Sequence, residues 1–563
     1  MHHLTEMMAA CDRGIPGLLS AQISFQEDSR LGGFMLDQYH VDPRHCGFVL
    51  SRLIIVYITP ASVHYKSQAV SAAIRAAFVY MQNHQRPDGC FDLTSCNYAS
   101  APDTAFMVNG LLNAWWLLEK TSGPDFQWIR EPFARLIDTA ATGIMNGGFH
   151  TPNHRWAIAA CLLSCYKISG RRELHDRARE YLREGLDINE DGEFAERSAG
   201  NYNQVNDDQM IRLYLATGDR QFLLAARQNL QMMYCYIDPD GSVFTNNSTR
   251  QDLGEKIYTG SYYKLYLLVG FLLKDPQLCA MAEWIYQDCK KRGQETAADF
   301  DALAWLLLFP EMDGFGAEEP FDPPMRSYRR VFPASDIARA RNGAFSYTLL
   351  KGKPNCFYFQ NGAFCVYMNI YANVCDKRHF IADTLAQTAS GFRMTSRSAS
   401  WYYLPFEEKP ATSDWWAMDN KNTRKRMQGL ALDMALEVVE QADGVDLYLN
   451  TSGLDQVPLR VEFSFLPECR LRTEHFVMKG HGGLYVNVLD GTVEAAAPAG
   501  EVITVGPAFG AHDVTGRMGG AYPLSPKHAT VYFTAYTPVS RVISIRTKPM
   551  GMLLTPGKTD SEV

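Results

Sequence analysis

The spacing of apolar residues divides the chain into two halves. From about residue 40 to 310, apolar residues recur three and four positions apart, as in DTAFMVNGLLNAWWLLEK (103–120) and MAEWIYQDCKK (281–291). This spacing is typical of amphipathic helices. It predicts eleven helices, at 43–58, 66–84, 103–119, 127–145, 154–168, 172–186, 201–216, 219–236, 259–273, 275–291 and 298–309.

Four loops between these helices share one composition, in which an acidic or amide residue is followed by glycine and then by an aromatic residue. They are RPDGCFD (86–92), NGGFHTPN (146–153), NEDGEFAER (189–197) and DPDGSVFTNN (238–247). They recur about one helical hairpin apart, which indicates a repeated supersecondary unit. Stacked helical hairpins that close on themselves form an (α/α) toroid, and equivalent loops then lie on one rim.

Beyond about residue 330 the period of the pattern changes to two, as expected for half-buried strands. The alternating segments are VDLYLNT (445–451), LRVEFSFLP (459–467), EVITVGP (501–507), ATVYFTAYTP (529–538) and SRVISIRTKP (540–549). The segment EMDGFGAEEPFDPPMRSYRR (311–330) is rich in Pro, Gly and acidic residues and separates the halves. We therefore predict an α+β multidomain chain with an N-terminal (α/α) toroid at 1–315, a linker at 316–330, a C-terminal antiparallel β-sandwich at 331–556 and a disordered tail at 557–563.

Composition restricts the classes of partner. A chain of 563 residues is too long for one core, and its net charge of -8 gives no reason to expect nucleic acid or an anionic membrane. The N-terminal segment MHHLTEMMAACDRGIPG lacks a signal-peptide pattern, and FVLSRLIIVYI (48–58) is too short to span a bilayer. We expect a cytoplasmic protein, or a periplasmic or secreted one if a leader has been removed.

The thirteen cysteines lie mostly in apolar helices, form no disulfide framework and suit a reducing compartment. Cys90 and Cys96 share a loop, where a pairing stays open. No zinc-ligand spacing occurs, so we predict no metal ligands and no required cofactor, and nothing in the sequence supports a structural divalent metal.

Candidate chemistry concentrates at TPNHRW (151–156), in front of an apolar helix. An amide, an imidazole, a guanidinium and an indole in four consecutive positions exceed what a turn requires. Tyr202 follows in RSAGNYNQVND (197–207), at another loop of the predicted rim. These groups suit β-elimination from a uronic acid, which needs a donor such as Asn153 for the enolate-like intermediate, a base, and an acid for the leaving oxygen. Tyrosine serves as either when a cation such as Arg197 stabilises its phenolate.

Over nearly its whole length the chain resembles the heparinase II/III-like polysaccharide lyases, a family with an (α/α) toroid and a β-sandwich whose members act on heparinoids (glycosaminoglycans), alginate and other uronate polymers. Sites of this family combine an Asn or Asn-His pair, a Tyr of the toroid and a His of the sandwich. The resemblance implies catalytic roles for Asn153, His154 and Tyr202, which match the first two elements. For the third it implies His379, in NVCDKRHFIADTLAQ (373–387), where the family's His-rich signature is absent.

Further side chains are candidates for substrate binding. Arg250, in NNSTRQD (246–252), either binds a substrate carboxylate in bidentate fashion or forms a salt bridge with Asp252. The segment 396–426 contains clustered aromatic residues outside any strand or helix period, which either stack on sugar faces or fill the core as a loop. The predicted substrate-binding residues are Arg155, Trp156, Arg197, Arg250, Arg393, Trp415 and Trp416.

Three classes of function follow. The leading hypothesis is a polysaccharide lyase that cleaves a uronic-acid-containing polysaccharide or oligosaccharide by β-elimination, with an anionic glycan as its partner. A glycoside hydrolase would instead need two carboxylates facing one cleft. The third class is a non-catalytic glycan-binding protein that uses the aromatic segment alone. The carboxylates predicted near the rim are Asp92, Asp103, Glu193, Glu196 and Asp207.

Overall fold

The protein is described from a computed structural model, whose described residues are 3–38, 40–121, 124–293, 299–316, 324–374, 377–418, 424–513 and 525–548. The chain divides into two compact units. The helical unit contains Met1–Tyr234 and Gly241–Pro323, and the β unit contains Cys235–Asp240 and Pro324–Val563. The division at Pro323 falls inside the range 316–330 predicted as a linker. The predicted tail at 557–563 lies outside the described residues.

The helical unit contains every helix that the apolar spacing predicts, and one more at its start. The helices are α1 (His3–Ser20), α2 (Pro43–Ile58), α3 (Gln68–His84), α4 (Ala101–Lys120), α5 (Gln127–Asn146), α6 (Pro152–Ser169), α7 (Arg172–Leu182), α8 (Tyr202–Thr217), α9 (Arg220–Met233), α10 (Tyr263–Leu273), α11 (Pro276–Lys291) and α12 (Phe300–Leu308). Two short hairpins accompany them, β1 (Phe91–Leu93) with β2 (Asn97–Ser100), and β3 (Ser242–Val243) with β4 (Ile257–Tyr258).

Five even-numbered helices, α4, α6, α8, α10 and α12, form a ring, because each contacts the next and α12 contacts α4 again. Helix α2 packs against α4. Helices of such an inner layer are apolar on most sides because they are covered on most sides. In α6 every residue from Asn153 to Cys165 is buried. The helical unit is therefore the (α/α) toroid that the sequence predicted.

Helix α1 was not predicted, because Gly14, Pro16 and Gly17 interrupt a helical pattern in the sequence. Its buried side chains include Met7, Met8, Cys11 and Ile15, which share one face. At its start the His3 ring stacks on the Tyr286 ring at 3.7 Å. Contacts with α11 thus stabilise a helix whose own propensity is weak.

The glycines of three of the four repeated loops have one backbone conformation, whereas Gly147 of the fourth has a φ of -82°. Gly89, Gly192 and Gly241 have φ values of 96°, 97° and 80°, in the region that favours glycine. A Cβ atom at Gly89 would lie 2.1 Å from the carbonyl oxygen of Thr139, and one at Gly192 would lie 2.6 Å from that of Gln228. The loops therefore pack closely on an outer helix that follows them in the chain, α5 for Gly89 and α9 for Gly192, which explains the recurring Asp-Gly pair.

The β unit is a sandwich of two sheets. The first sheet has the order β18-β21-β15-β9-β8-β7-β6-β5, with β10 paired to β9, and the second has the order β11-β12-β13-β14-β22-β20-β19-β16-β17. All neighbours are antiparallel except β18 and β21, which are parallel. The strands are β5 (Ser327–Phe332), β6 (Ile337–Asn342), β7 (Phe345–Leu350), β8 (Phe357–Asn361), β9 (Phe364–Val374), β10 (Lys377–His379), β11 (Thr384–Gln387), β12 (Gly391–Tyr403), β13 (Arg426–Gln441), β14 (Gly444–Gly453), β15 (Pro458–Phe465), β16 (Arg470–Arg472), β17 (Val477–Lys479), β18 (Leu484–Asn487), β19 (Val493–Ala496), β20 (Val502–Gly506), β21 (Ala529–Tyr536) and β22 (Ser540–Lys548).

The residues that form the core of the sandwich are alternate residues of its strands, as the period of two predicts. In β15, Leu459, Val461 and Phe463 are buried in the hydrophobic core. The alternate residues Arg460 and Glu462 therefore lie on the outer face of the first sheet. The same alternation in β12 and β13 places charged residues on the outer face of the second sheet.

The prediction that residues 396–426 form an aromatic loop is wrong for its first part. Strand β12 continues to Tyr403, and Trp401, Tyr402 and Tyr403 pair with residues 426–428 of β13. Beyond the point where β13 leaves β14, β12 and β13 form a two-stranded ribbon. Aromatic residues suit strands, but the polar neighbours of these three hid the period of two.

Candidate active site

The segment TPNHRW forms the beginning of a helix instead of a turn. Thr151 is extended, with φ -137°, and Pro152 is the first residue of α6, a position where proline is favoured. The four residues from Asn153 to Trp156 then complete the first turn of the helix. Their side chains point in different directions and have different roles.

Asn153 and Arg250 hold a carboxylate between them. The side-chain amide of Asn153 donates to both carboxylate oxygens of Glu196, at 2.7 and 2.9 Å. The Nε atom of Arg250 lies 3.5 Å from the same carboxylate. Burial raises the pKa of Glu196, and the Asn153 amide and Arg250 oppose that shift. We call Asn153 and Arg250 the carboxylate cradle.

The cradle is covered in this conformation. Asn153 has no exposed surface, and Glu196 is 3% exposed. The Arg250 side chain is 25% exposed and, in the described part of the chain, its guanidinium makes no hydrogen bond. Of the two roles considered for Arg250, the salt bridge with Asp252 is absent. Asp252 accepts hydrogen bonds from Ser198 and Ser248 instead.

Tyr202 lies beside the cradle. The guanidinium carbon of Arg250 is 4.6 Å from the centroid of the Tyr202 ring. Tyr202 is the first residue of α8, and its backbone amide donates to the Ser198 hydroxyl at 3.0 Å. Because Ser198 also donates to Asp252, the loop before α8 is bound to the segment that carries Arg250. Asn153, Tyr202 and Arg250 are therefore brought together.

His154 is an uncharged imidazole at neutral pH. Its ring lies against Phe106 and His150, with centroid distances of 5.9 and 4.6 Å. Burial lowers the pKa of His154 to about 4, and the neighbouring His150 adds to that effect. The cations Arg250 and Arg44 act in the same direction. A neutral imidazole of this kind accepts a proton.

The structure corrects the roles of Arg155 and Trp156. Trp156 has no exposed surface, and its indole donates to the Asp187 carboxylate at 2.8 Å. The Arg155 guanidinium stacks on the Trp156 ring at 4.0 Å and donates to Glu184 and to the carbonyl oxygen of Gly185. Both side chains fasten α6 to the segment before α8, and neither is available to a sugar in this conformation.

Arg197 is half-buried in the same rim loop, with its Nε atom 3.6 Å from the Glu193 carboxylate. It has a positive φ of 48°, which is uncommon for a residue with a side chain. Glu193 also accepts a hydrogen bond from Asn247 at 2.9 Å. The predicted contact between Arg197 and the substrate stays a prediction.

His379 belongs to a polar cluster of the β unit. It is 3% exposed, and its ring lies 4.4 Å from that of Tyr371. Burial lowers the pKa of His379 to about 4, and Arg460 adds to that effect. Arg460 pairs with Glu462 at 2.8 Å, and Tyr485 donates to the same carboxylate. This cluster was not predicted, although Arg460 and Glu462 are the outward positions of the alternating segment 459–467.

The remaining predicted residues of the β unit are exposed. Trp415 and Trp416 are 66% and 91% exposed, so the alternative of a loop that fills the core is wrong for them. Arg393 lies on the outer face of the second sheet, whereas His379 contacts the outer face of the first. Since the core of the sandwich separates these faces, Arg393 and His379 do not belong to one site.

Two further features of the described residues bear on other classes of site. No group of three His, Cys, Asp or Glu side chains there is arranged to hold a metal ion. No helix there is long and apolar enough to cross a membrane. Cys90 and Cys96, whose pairing was left open, are both free thiols.

Solved structures of other proteins have a similar fold, although the sequence comparisons found no match. No family model matches the sequence, and no curated protein matches it either. A Paenibacillus xanthan lyase has a TM-score of 0.56 at 10% identity, over 97% of this chain and 56% of that one. Heparinase III has a TM-score of 0.54 at 12% identity, over 97% and 85% of the two chains. A chondroitinase AC lyase has a TM-score of 0.51 at 10% identity, over 97% and 82%.

The chain thus spans little more than half the length of the xanthan lyase. At these identities the likeness concerns the fold and not the activity. The resemblance to heparinase-like lyases is confirmed at that level, since the chain has the toroid and sandwich fold of polysaccharide lyases.

Proposed function

We propose that the protein is a polysaccharide lyase that cleaves a uronic-acid-containing glycan by β-elimination. The observation that carries this proposal is the carboxylate cradle, which holds a carboxylate beside a tyrosine. A neutral histidine, His154, follows Asn153 in the same helical turn. In this conformation the carboxylate is that of Glu196. A substrate uronate presents the same group.

The cradle would supply the neutralisation of charge that removal of the C5 proton requires. The proton on C5 of a uronate is weakly acidic, because its removal places more negative charge beside an ionised carboxylate. The Arg250 guanidinium and the Asn153 amide would neutralise that carboxylate and stabilise the enolate-like intermediate. For this to occur, the Glu196 side chain has to leave the cradle. Burial raises the pKa of Glu196, which favours the neutral form and weakens its competition for Arg250.

Tyr202 and His154 supply the proton transfers. His154, held neutral by burial, accepts the C5 proton, and the Tyr202 hydroxyl protonates the leaving glycosidic oxygen. The C5–H and C4–O bonds break, and a double bond forms between C4 and C5. No water is consumed, and the proton taken from C5 balances the one given to the leaving oxygen. His379 stays a candidate for a further role from the β unit.

The alternative of a glycoside hydrolase finds less support in the rim carboxylates. Asp92 and Asp103 are bound to Arg86 and Arg44. Glu193 and Glu196 accept hydrogen bonds from Asn247 and Asn153, and Asp207 has no exposed surface. A hydrolase needs one carboxylic acid and one carboxylate that both reach the glycosidic bond.

The test is an incubation of the full chain with heparan sulfate, chondroitin sulfate, xanthan and alginate. Elimination creates a conjugated double bond, so ultraviolet absorbance should rise with at least one polymer. Hydrolysis would raise the amount of reducing ends without that absorbance, and this result would favour the alternative. Mass spectrometry checks the product, because an unsaturated fragment is lighter than a hydrolysed one by one water.

A further inference from the structure

The outer face of the second sheet carries a groove of about 590 Å³. The strand register aligns Thr384, Thr395, Ala435 and Asn450 in one row across β11 to β14. Asn450 in turn lies opposite Ser540 on β22. Because all five side chains are short, this row forms a floor. We call this feature the outer-sheet groove.

Longer side chains form the walls of the groove. On one side of the floor Arg393 lines the groove, and Glu437 and Tyr448 continue its row in the register. On the opposite side the groove is lined by Asp383, Arg397 and Asp433, and the short Ser452 continues that row. Arg397 and Asp433 form a salt bridge at 2.8 Å, with their side chains 61% and 44% exposed.

Arg393 is the cation that this arrangement leaves available. It is exposed and lies opposite Glu437, yet in the described part of the chain no salt bridge or hydrogen bond of its side chain occurs. The planar guanidinium binds a carboxylate or a sulfate through two hydrogen bonds. Hydroxyl and amide groups of the floor would bind the hydroxyl groups of a sugar.

The direction of the groove indicates the shape of its ligand. The floor crosses five strands, so its length is roughly 19 Å, from four spacings of about 4.8 Å. Four of these strands have neighbours on both sides, and their backbone groups are already paired. A peptide therefore gains no backbone pairing across this face. An extended polymer with hydroxyl and acidic groups fits the length and the chemistry.

The outer-sheet groove is separate from the His379 cluster. His379 contacts Tyr371, which is aligned with Arg460 on the outer face of the first sheet. Between that face and the groove lies the hydrophobic core of the sandwich. A ligand in the groove therefore does not reach these titratable groups.

We propose that the outer-sheet groove is a second, non-catalytic binding site for an extended segment of an anionic polysaccharide. The inference rests on the proposed function for the class of polymer. It adds a site that would keep a long chain on the protein between cleavage events.

The test measures binding by the full chain in a background that carries Tyr202→Phe and Arg250→Ala, so that turnover and the cradle do not contribute. Retention is measured by affinity electrophoresis in gels containing heparan sulfate, chondroitin sulfate or xanthan. Arg393→Ala removes the free guanidinium, and Ala435→Trp fills the floor. Arg472→Ala, at an exposed arginine of β16 in the same sheet, is the matched control.

We expect Arg393→Ala to weaken binding of at least one polymer about tenfold, as for the loss of one charge-assisted contact. Ala435→Trp should weaken it at least as much, and Arg472→Ala should not change it. Equal binding by Arg393→Ala and the background protein would overturn the proposal, as would equal losses in all three variants or no retention in any gel. Should Ala435→Trp fail to fold, Arg393→Ala still decides.

A second measurement separates this proposal from the proposed function. In the otherwise natural chain, Arg393→Ala should raise the KM for the polymer by a larger factor than the KM for a short oligosaccharide. If the chain cleaves no polymer but the groove variants lose binding, the lyase proposal fails and the groove stands. If the chain is a lyase and Arg393→Ala binds and cleaves polymer normally, the groove proposal fails alone.

Discussion

The guanidinium carbon of Arg250 lies 4.6 Å from the ring centroid of Tyr202, while the Nε atom of Arg250 lies 3.5 Å from the Glu196 carboxylate. Arg250 thus contacts both the carboxylate held in the cradle and the ring of Tyr202. A substrate carboxylate that replaces Glu196 would lie on the guanidinium that contacts the Tyr202 ring, whose hydroxyl is the proposed acid. This geometry favours elimination, because neutralisation of charge and proton transfer occur on adjacent atoms of the sugar.

Tyr202→Phe should preserve the fold and reduce turnover at least about 100-fold, the scale of a lost general acid. The ring still packs under Arg250, whereas the hydroxyl that carries the proton is absent. Turnover is followed by ultraviolet absorbance of the unsaturated product. Tyr214→Phe, later on the same helix, serves as the control, and a Tyr202→Phe variant as active as this control would remove Tyr202 from the mechanism.

Asn153→Ala should lower kcat by an amount corresponding to about 3 kcal/mol, as for the loss of one donor to a developing negative charge. The effect belongs to kcat because the charge on the substrate is largest after proton removal. Steady-state kinetics with circular dichroism of the variant provide the check. A change confined to KM would show that Asn153 binds the substrate without stabilising the transition state.

Arg250→Ala should reduce kcat/KM by about 100-fold or more, and Arg250→Lys by less. The lysine keeps a positive charge for the substrate carboxylate but lacks the planar pair of donors. Arg220→Ala, at an exposed arginine of α9, is the control for loss of one positive charge. Equal activity of the alanine and natural proteins would mean that the cradle does not bind the uronate.

Glu196→Gln should make KM less dependent on pH. In the natural chain the Glu196 anion competes with substrate for Arg250, so KM should rise as pH increases through the pKa of Glu196, which burial raises above its ordinary value. Glutamine has no charge and mimics the protonated form at every pH. Measurement of KM across the acidic and neutral range distinguishes the two proteins, and parallel curves would contradict the competition.

The dependence of kcat/KM on pH should reflect the lowered pKa of His154. Burial lowers that pKa from 6.5 to about 4, so the neutral base persists as pH falls below 6.5 and is lost only as pH approaches 4. We expect the acidic limb of the profile near pH 4. A limb near 6.5 would indicate that an exposed histidine, and not His154, is the base.

The periodicity of the sequence was sufficient for most elements but not for the environment of single side chains. Helix α2 occupies the predicted range 43–58, because its apolar stripe is uninterrupted. Helix α1 needed the contact between His3 and Tyr286, which lie far apart in the chain. Local propensity does not contain such a contact.

The first turn of α6 shows the same limit within the candidate site. The sequence indicated that Asn153 and His154 carry unusual chemistry, and it assigned Arg155 and Trp156 to the substrate for the same reason. Their structural roles depend on Asp187 and Glu184, which belong to the next segment of the toroid. Glu196 was considered only for hydrolysis, because its contact with Asn153 is also tertiary.

Helices α6 and α8 both begin at the candidate site, since Asn153 and Tyr202 are in their first turns. The N-terminus of a helix carries a partial positive charge, equivalent to about half an elementary charge. Two such termini attract an anion at short range, although the chain as a whole has a net charge of -8 and repels a polyanion at a distance. Salt screens the distant repulsion more than the buried attraction, so moderate ionic strength should accelerate the encounter with an acidic glycan.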